Sequence, residues 1–212
     1  MVFTLSLLCF GFSFGPGTFA GAEETGSLDE RVSRFLSSRK NDWRDMNVPA
    51  ADGKVLYNLV LENKVKRALE IGTSTGHSAV WIAWALSKTA GRLITIEIDE
   101  DRYKTALANF EKAGLSDLID ARLADAHDLV KELKGPFDFV FCDADKEWYK
   151  NYFIALAPKL SVGGCFTAHN VSWRYDRGIR AFLDYVRSLP NFKTTINRAS
   201  SEGISISCKT AE

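Results

Sequence analysis

Short apolar segments of two kinds alternate through most of this chain of 212 residues. Runs rich in β-branched and aromatic side chains predict strands, and longer runs with apolar residues at helical spacing predict helices. The predicted strands are Arg67–Ile71, Arg92–Glu97, Leu118–Leu123, Phe137–Cys142 and Cys165–Ala168. The predicted helices between them are Ser78–Ser87, Asp101–Ala113, His127–Leu133 and Lys146–Leu156. Strict alternation of strand and helix predicts a parallel sheet with helices on both faces.

The two ends of this pattern complete the predicted fold. Two helices, Leu28–Arg39 and Ala50–Asn63, precede the first strand, and a helix at Gly178–Ser188 follows the fifth. The last two strands, Phe192–Asn197 and Ile204–Lys209, are joined by too few residues for a parallel crossover and should form an antiparallel hairpin. We therefore expect one α/β domain, a Rossmann-like doubly wound sheet of seven strands, mostly parallel, with a C-terminal antiparallel hairpin and N-terminal helices.

The first 22 residues differ from the rest of the chain. No charged side chain occurs from Met1 to Ala20, and Val2–Phe14 is mostly apolar. Ala20-Gly21-Ala22 is a small-x-small site of the kind that signal peptidase cleaves. This pattern predicts a signal peptide or anchor at 1–22 and a folded domain at 23–212. Export, membrane attachment through this segment and a start site misassigned upstream of the true one are all left open.

Charge and composition disfavour one class of partner. Lys plus Arg number 27 and Asp plus Glu number 27, so the formal net charge is zero. Without a basic stripe to engage phosphates, the chain is not expected to bind nucleic acid. A small-molecule partner is favoured, and a homodimer is left open.

The cysteines are interpreted as part of the core. Cys142, Cys165 and Cys208 each lie in an apolar run that predicts a buried strand. Three is an odd number, so we expect small buried hydrophobes rather than a disulfide framework. No Cys/His spacing indicates a structural zinc site.

The first two predicted strands end in residues suited to a nucleoside. Gly72 and Gly76, four positions apart after the first strand, allow a tight turn and close approach of a ligand to the backbone. Glu97 ends the second strand, where a carboxylate can accept both ribose hydroxyls. The spacing G-x-G-x-x-G of a dinucleotide site is absent, because Ser74 and His77 stand at its second and third glycines. The two strand ends together predict a nucleoside-containing cofactor.

Polar residues also follow the fourth and fifth predicted strands. Asp143-Ala144-Asp145-Lys146 comes after one, and His169-Asn170 comes after the other. Since the carboxyl ends of parallel strands meet at one edge of a sheet, Asp143, Lys146, His169 and Asn170 should share a cleft. Oxygen ligands suit a hard cation such as Mg²⁺, whereas a histidine ligand suits Zn²⁺ or a softer metal.

These segments resemble the cation-dependent O-methyltransferases of the catechol and caffeoyl-CoA type. The resemblance extends from Trp43 to about Lys209, and it is carried by Trp43, Met46-Asn47-Val48, LEIGTSTGHSAVWIA, LITIEID, FVFCDADKEWYKNYF and Asn170. It implies S-adenosylmethionine as cofactor, a divalent cation, and transfer of a methyl group to a hydroxyl of a small catechol-like or phenolic acceptor. The predicted antiparallel hairpin also agrees with a methyltransferase sheet rather than an all-parallel dinucleotide-binding one.

The resemblance also implies roles for single residues. Cofactor contacts are implied for Val48, Glu70, Gly72, Ser78, Glu97, Asp125, Ala126 and Asp143, and the loop glycine Gly76 is added from the strand-end pattern. Metal ligands are expected among Asp143, His169 and Asn170. Lys146 would be the general base, and Trp43 and Asn170 would contact the acceptor.

One departure from the family pattern concerns the metal. The family has an Asp-Asn pair where this chain has His169-Asn170. Losing a carboxylate should lower the affinity for magnesium, because that ion depends on carboxylates. The site is then expected to hold a different metal, to hold one weakly, or to use none. Without a metal, His169 could itself take the hydroxyl proton.

Two other functions compete with the methyltransferase. One is a cofactor-binding or interaction protein that kept the fold and lost turnover, which the histidine at position 169 permits. The other is a nicotinamide-dependent oxidoreductase, which the glycine pattern and the terminal hairpin disfavour. S-adenosylmethionine is made inside cells, which favours a cytoplasmic location and opposes the export predicted from residues 1–22.

Overall fold

A computed structural model of the protein describes residues 26–43, 45–173 and 175–212. Seven strands form one sheet in the order β3-β2-β1-β4-β5-β7-β6. They are β1 (Arg67–Ile71), β2 (Arg92–Glu97), β3 (Ile119–Leu123), β4 (Phe137–Cys142), β5 (Leu160–Ala168), β6 (Phe192–Asn197) and β7 (Ile204–Lys209). Strands β1 to β5 pair in parallel, and β7 pairs antiparallel with both β5 and β6. The predicted fold class is confirmed. The predicted leader at 1–22 lies outside the described residues.

Seven helices flank the sheet in the described part of the chain. They are α1 (Leu28–Ser38), α2 (Ala50–Glu62), α3 (His77–Thr89), α4 (Glu100–Ala113), α5 (Ala126–Glu132), α6 (Tyr149–Leu156) and α7 (Arg177–Ser188). Local sequence explains several ends: Ser27 and Glu30 form a capping box at the start of α1, and Gly114 ends α4 in the left-handed conformation. The predicted helix at Lys146–Leu156 is instead a 3₁₀ turn, Lys146–Trp148, followed by α6.

The strands separate two hydrophobic layers. In β4, Phe139 and Phe141 pack against the layer under α1 to α4, whereas Val140 and Cys142 pack against the layer under α5 to α7. Successive side chains of a strand point to opposite faces, so a strand buried on both faces is apolar throughout. This is why the FDFVFC run identified the centre of the sheet from the sequence alone.

The interpretation of Cys165 and Cys208 as unpaired core residues is wrong. The two cysteines form a disulfide, and their Cα atoms are 4.0 Å apart. The cause is the pairing of β7 with β5, which places Cys208 directly opposite Cys165. The sequence predicted that β6 and β7 pair but did not show which strand β7 joins on its other side. Cys142 is free and buried, as predicted, and burial raises the pKa of its thiol.

Cys208→Ser should lower the free energy of unfolding by about 2–4 kcal/mol, because the disulfide closes a long loop in the unfolded chain. Urea unfolding followed by circular dichroism measures this change. Wild type treated with a reductant should have the same urea midpoint as Cys208→Ser without reductant, because neither then contains the disulfide. If reductant leaves the midpoint of the wild type unchanged, the two cysteines are not joined.

Within residues 26–43, 45–173 and 175–212, no helix is long and apolar enough to cross a bilayer. The prediction of membrane attachment concerned the leader alone, so this finding leaves it a prediction.

Candidate active site

A cleft of about 630 Å³ follows the carboxyl ends of the central strands. It crosses from the end of β3 to the end of β5 and reaches the loop between β6 and β7. Eight of the residues predicted for the site line it: Gly72, Glu97, Asp125, Ala126, Asp143, Lys146, His169 and Asn170. The volume lies in the range of sites that enclose small molecules. The parallel topology therefore brings together residues that are far apart in the sequence.

The loop after β1 forms the floor of the cleft. Gly72 has a φ of +94°, and a Cβ built there would lie 2.7 Å from the carbonyl oxygen of Asp143. Any side chain would therefore collide with the backbone that follows β4. Glycine is required here, since it alone combines this conformation with so close an approach.

Glu97 closes one end of the cleft. Its Oε2 accepts a hydrogen bond of 2.6 Å from the amide of Ser74, and its Oε1 accepts one from the amide of Asp99 at 3.0 Å. The side chain is thereby fixed between the loop after β1 and the start of α4, and it is only 6% exposed. A carboxylate has lone pairs beyond these, so Glu97 can still accept hydrogen bonds from a ligand.

Asp143 and Lys146 form an ion pair near the middle of the cleft. Lys146 Nζ donates to Asp143 Oδ1 over 2.7 Å, and both side chains are mostly buried. The 3₁₀ turn that starts at Lys146 bends the chain back, which brings the ammonium group over the end of β4. The pair places a proton-transferring group beside a carboxylate.

His169 lies between two carboxylates and is 3% exposed. Its Nε2 is 2.8 Å from Oδ2 of Asp52, a residue of α2 that is fully buried. Its Nδ1 is 3.2 Å from Oδ2 of Asp143 but has no hydrogen-bond partner in the described part of the chain. The Nδ1 contact is therefore electrostatic, whereas the Nε2 contact is a directed hydrogen bond.

The pKa of His169 reflects opposing effects. Burial lowers it, but the carboxylates of Asp143 and Asp52 outweigh burial and raise the pKa to about 9.

Asn170 adopts a left-handed conformation with a φ of +58°. Its Nδ2 donates to Oε2 of Glu202 over 3.0 Å, and the indole of Trp173 donates to the same oxygen over 2.7 Å. Glu202 belongs to the loop between β6 and β7, so the terminal hairpin helps to hold the end of β5. A strained non-glycine residue held this way is common at functional sites.

Five predicted site residues do not line the cleft: Trp43, Val48, Glu70, Gly76 and Ser78. Glu70 is fully buried beneath the loop after β1, where burial raises its pKa to about 8 despite hydrogen bonds from Ser78 and Thr95. Gly76 has a φ of +96°, and a Cβ there would meet the Phe110 ring at 2.6 Å. Glu70, Ser78 and Gly76 therefore shape the loop from below.

Trp43 and Val48 line a second cavity of about 550 Å³ among α1, α2 and α3. Trp43 stacks on His77 with ring centroids 4.5 Å apart. The His77 ring is held by the carbonyl of Val48 at 2.8 Å and the indole of Trp81 at 3.0 Å, and burial lowers its pKa to about 4. The structure thus separates Trp43 from the cleft, and its contact with an acceptor stays a prediction.

Among the residues at the site that sequence reasoning missed are Asp52, Trp173 and Glu202. A signal for Asp52 was present, because it shares a helical face with Leu56 and Val60, and a carboxylate in such a stripe has to find a buried partner. Trp173 and Glu202 lie outside the predicted strands and helices. Only the tertiary fold brings their loops beside the end of β5.

Metal ligands were predicted at Asp143, His169 and Asn170. Across the described ranges, no three His, Cys, Asp or Glu side chains are grouped so that they could hold a metal ion. The three predicted ligands do line one cleft. A site there would need the amide oxygen of Asn170 as its third donor.

Comparisons with known proteins agree with this architecture. A family model described as O-methyltransferase matches residues 21–178. Caffeoyl-CoA O-methyltransferase 1 of Eucalyptus globulus is 32% identical over 171 residues, which cover 76% of this chain and 68% of that protein. Catechol O-methyltransferase of Niastella koreensis is 42% identical over 161 residues, which cover 68% of this chain and 72% of that protein.

A solved structure has the same fold. The O-methyltransferase TomG from Streptomyces achromogenes, in complex with SAM, superposes with a TM-score of 0.73 and 28% identity. The match covers 86% of this chain and 91% of that one. The overall fold is therefore shared with a cofactor-bound O-methyltransferase.

Proposed function

The chain belongs to the O-methyltransferase family, and we propose that it transfers the methyl group of S-adenosylmethionine to a hydroxyl of a small phenolic or catechol-like acceptor. The observation that carries this proposal is the single cleft with Glu97 at one end and the Asp143–Lys146 pair near its middle. The cleft thus contains both a carboxylate that can bind a ribose and an ion pair that can transfer the proton of a hydroxyl.

The β2 and β3 end of the cleft fits the nucleoside half of the cofactor. The carboxylate of Glu97 can accept the two ribose hydroxyls, and Asp125 and Ala126 follow β3 at the adjacent position for an adenine. The absence of a side chain at Gly72 leaves room for the ligand above the loop. When bound, the cofactor supplies a methyl group activated by a sulfonium.

The residues after β4 supply the proton chemistry. Lys146, in its neutral form, takes the hydroxyl proton of the acceptor, and Asp143 accepts a hydrogen bond from the ammonium that results. The deprotonated acceptor oxygen would then be ready to accept the methyl group, and the bound cofactor would leave as S-adenosylhomocysteine. We assign the proton to Lys146 rather than His169, because His169 is 3% exposed and its Nε2 is committed to Asp52.

The acceptor end of the cleft is formed by Trp173, Pro49 and Asn170. The half-exposed indole of Trp173 offers a flat apolar wall, and its N–H is fixed by Glu202. An aromatic ring that bears a hydroxyl fits a wall of this kind better than an aliphatic alcohol does.

The predicted cation is supported by one unpaired atom. His169 Nδ1 is buried without a hydrogen-bond partner and faces Asp143 Oδ2 at 3.2 Å. Asp143, His169 and Asn170 would hold the ion, and a cation there would lower the pKa of an acceptor hydroxyl.

Calorimetric titration with S-adenosylmethionine and a methyl-transfer assay on a panel of acceptors test the proposal together. We expect saturable cofactor binding and faster turnover of a vicinal diphenol than of a simple aliphatic alcohol. Binding without turnover of any hydroxylated acceptor would instead favour the cofactor-binding protein considered from the sequence.

Three sequence predictions remain predictions. These are export or membrane attachment through residues 1–22, the division of the chain at residue 23, and a homodimer. Mass spectrometry of the mature N-terminus, with cell fractionation, tests the first two.

A further inference from the structure

We infer that the cavity among α1, α2 and α3 is a second binding site, and that it takes a planar aromatic carboxylate. The cavity holds about 550 Å³, which lies in the range of small-molecule sites. The inference goes beyond methyl transfer, because the cavity and the catalytic cleft share only Pro49 among the described residues that line them. Aromatic walls, a neutral floor and unpaired cations at the rim carry it.

The walls of this cavity are aromatic. Trp43, Tyr57, Trp81 and Trp84 line it, and each of these side chains is only partly buried. Trp84 is tilted by 57° to Tyr57 and by 39° to Trp81, so these rings do not stack face to face on one another. Part of each ring is therefore open to the cavity. A planar ring that enters can pack on these faces, and such aromatic pairs gain more than their apolar area alone provides.

The most buried aromatic ring that lines the cavity is His77, which is 3% exposed and forms its floor. The Trp81 indole can only donate, so His77 Nε2 accepts its hydrogen bond at 3.0 Å, and Nδ1 donates to the carbonyl of Val48 at 2.8 Å. Both ring nitrogens are engaged, and burial lowers the pKa of the imidazole to about 4. The floor thus offers a neutral ring and no atom that could take a proton from a ligand. We therefore assign binding to this cavity and no second reaction.

The rim of the cavity is positively charged. Lys40, which follows α1, and Lys54, on α2, line the cavity with exposed side chains. Neither ammonium group forms an ion pair with another described residue, and no carboxylate is found among the described lining residues. The catalytic cleft has the opposite character, since Glu97, Asp125 and Asp143 line it. Unpaired positive charge beside the cavity favours an anionic ligand.

A carboxylate attached to a planar ring matches both parts of the cavity. The ring can pack on the indoles while the carboxylate accepts hydrogen bonds from the lysines. Arginine, whose planar fork suits a phosphate best, is absent from the described lining residues. A carboxylate is therefore favoured over a phosphate ester, and a neutral or cationic aromatic compound would leave the lysines unpaired.

Calorimetric titration of the full-length protein with cinnamate tests the inference. Wild type should bind cinnamate about fivefold more tightly than cinnamamide, which has the same ring without the charge, because exposed ion pairs contribute modestly. It should bind the cyclohexyl analogue of cinnamate, which keeps the charge but has no aromatic ring, more weakly than cinnamate. Equal affinity for cinnamate and either analogue, or no binding of cinnamate, would overturn the inference.

A double variant, Lys40→Gln with Lys54→Gln, separates recognition of the charge from a structural role. It should bind cinnamate about fivefold more weakly than wild type and cinnamamide with unchanged affinity. A merely structural effect would weaken the binding of both. Lys104→Gln with Lys131→Gln is the matched control, because it removes the same charge from α4 and α5, where each lysine pairs with an acid of its own helix. If the two double variants bind cinnamate equally well, the inference is wrong.

A third variant, Ser37→Trp, tests the location of the ligand. Ser37 is an exposed residue of α1 that lines the cavity, so an indole there should fill the space and abolish the binding of cinnamate and cinnamamide. Ser38→Trp is the control, since Ser38 is exposed on the same helix and does not line the cavity. Cinnamate binding as tight in Ser37→Trp as in Ser38→Trp would place the ligand elsewhere and overturn the inference. If Ser37→Trp does not fold, the ratio of cinnamate to cinnamamide affinity in the Lys40 and Lys54 double variant still decides the matter.

Discussion

Lys146→Met should lower kcat for methyl transfer by about 10²–10⁴-fold, the range that a positioned general base contributes. Methionine keeps the length and much of the volume of the side chain but has no amine to take the hydroxyl proton. Asp143 would then lose the donor that lies 2.7 Å from its Oδ1. Steady-state kinetics with a vicinal diphenol measures the change.

Lys150→Met is the matched control, because Lys150 lies on α6 against the ring of Tyr185 and outside the cleft. Its kcat should stay within about twofold of wild type, as surface substitutions usually do little. Calorimetry should show nearly unchanged cofactor affinity for Lys146→Met. A kcat for Lys146→Met within a few-fold of wild type would remove Lys146 from the role of base.

Glu97→Ala should weaken binding of S-adenosylmethionine by about 1.5–3 kcal/mol, the scale of hydrogen bonds to a charged group. The substitution removes the acceptor proposed for the ribose hydroxyls. It also leaves the amides of Ser74, Ile98 and Asp99 without the carboxylate that accepts their hydrogen bonds. Glu97→Gln keeps one acceptor oxygen and should therefore lose less affinity than Glu97→Ala.

Glu100→Ala is the control for this second prediction. Glu100 is an exposed acid one turn away on α4, where it pairs with Lys104 on the helix surface. Its loss should leave calorimetric affinity unchanged. If Glu97→Ala bound the cofactor as tightly as Glu100→Ala, the ribose would have to lie elsewhere in the cleft.

The fold was predictable because its strands are strongly patterned. The bounds of β1, β2, β4, β6 and β7 agree with those predicted from the sequence. β5 is longer than predicted, from Leu160 rather than Cys165, because Gly163 and Gly164 interrupt its apolar pattern although its first residues still pair with β4. The disulfide was not predicted because the sequence does not show that β7 pairs with β5, and only this pairing places Cys208 opposite Cys165.

The site was predictable where residues follow strands directly. Gly72, Glu97, Asp143 and His169 all lie at the ends of parallel strands, so topology alone gathers them at one edge. Glu202 reaches the cleft from a loop, and Asp52 contacts His169 from a helix. Their positions depend on how α2 and the β6–β7 hairpin pack on the sheet, which periodicity along the chain does not encode.

The most direct measurement of the central claim is a single-turnover reaction with S-adenosylmethionine deuterated in its methyl group and a vicinal diphenol. Mass spectrometry should find the labelled methyl on one oxygen of the acceptor and an equal amount of S-adenosylhomocysteine. The assignment of O-methyl transfer to this cleft would be contradicted if the cofactor bound in calorimetry but its labelled methyl group reached none of the hydroxylated acceptors tried.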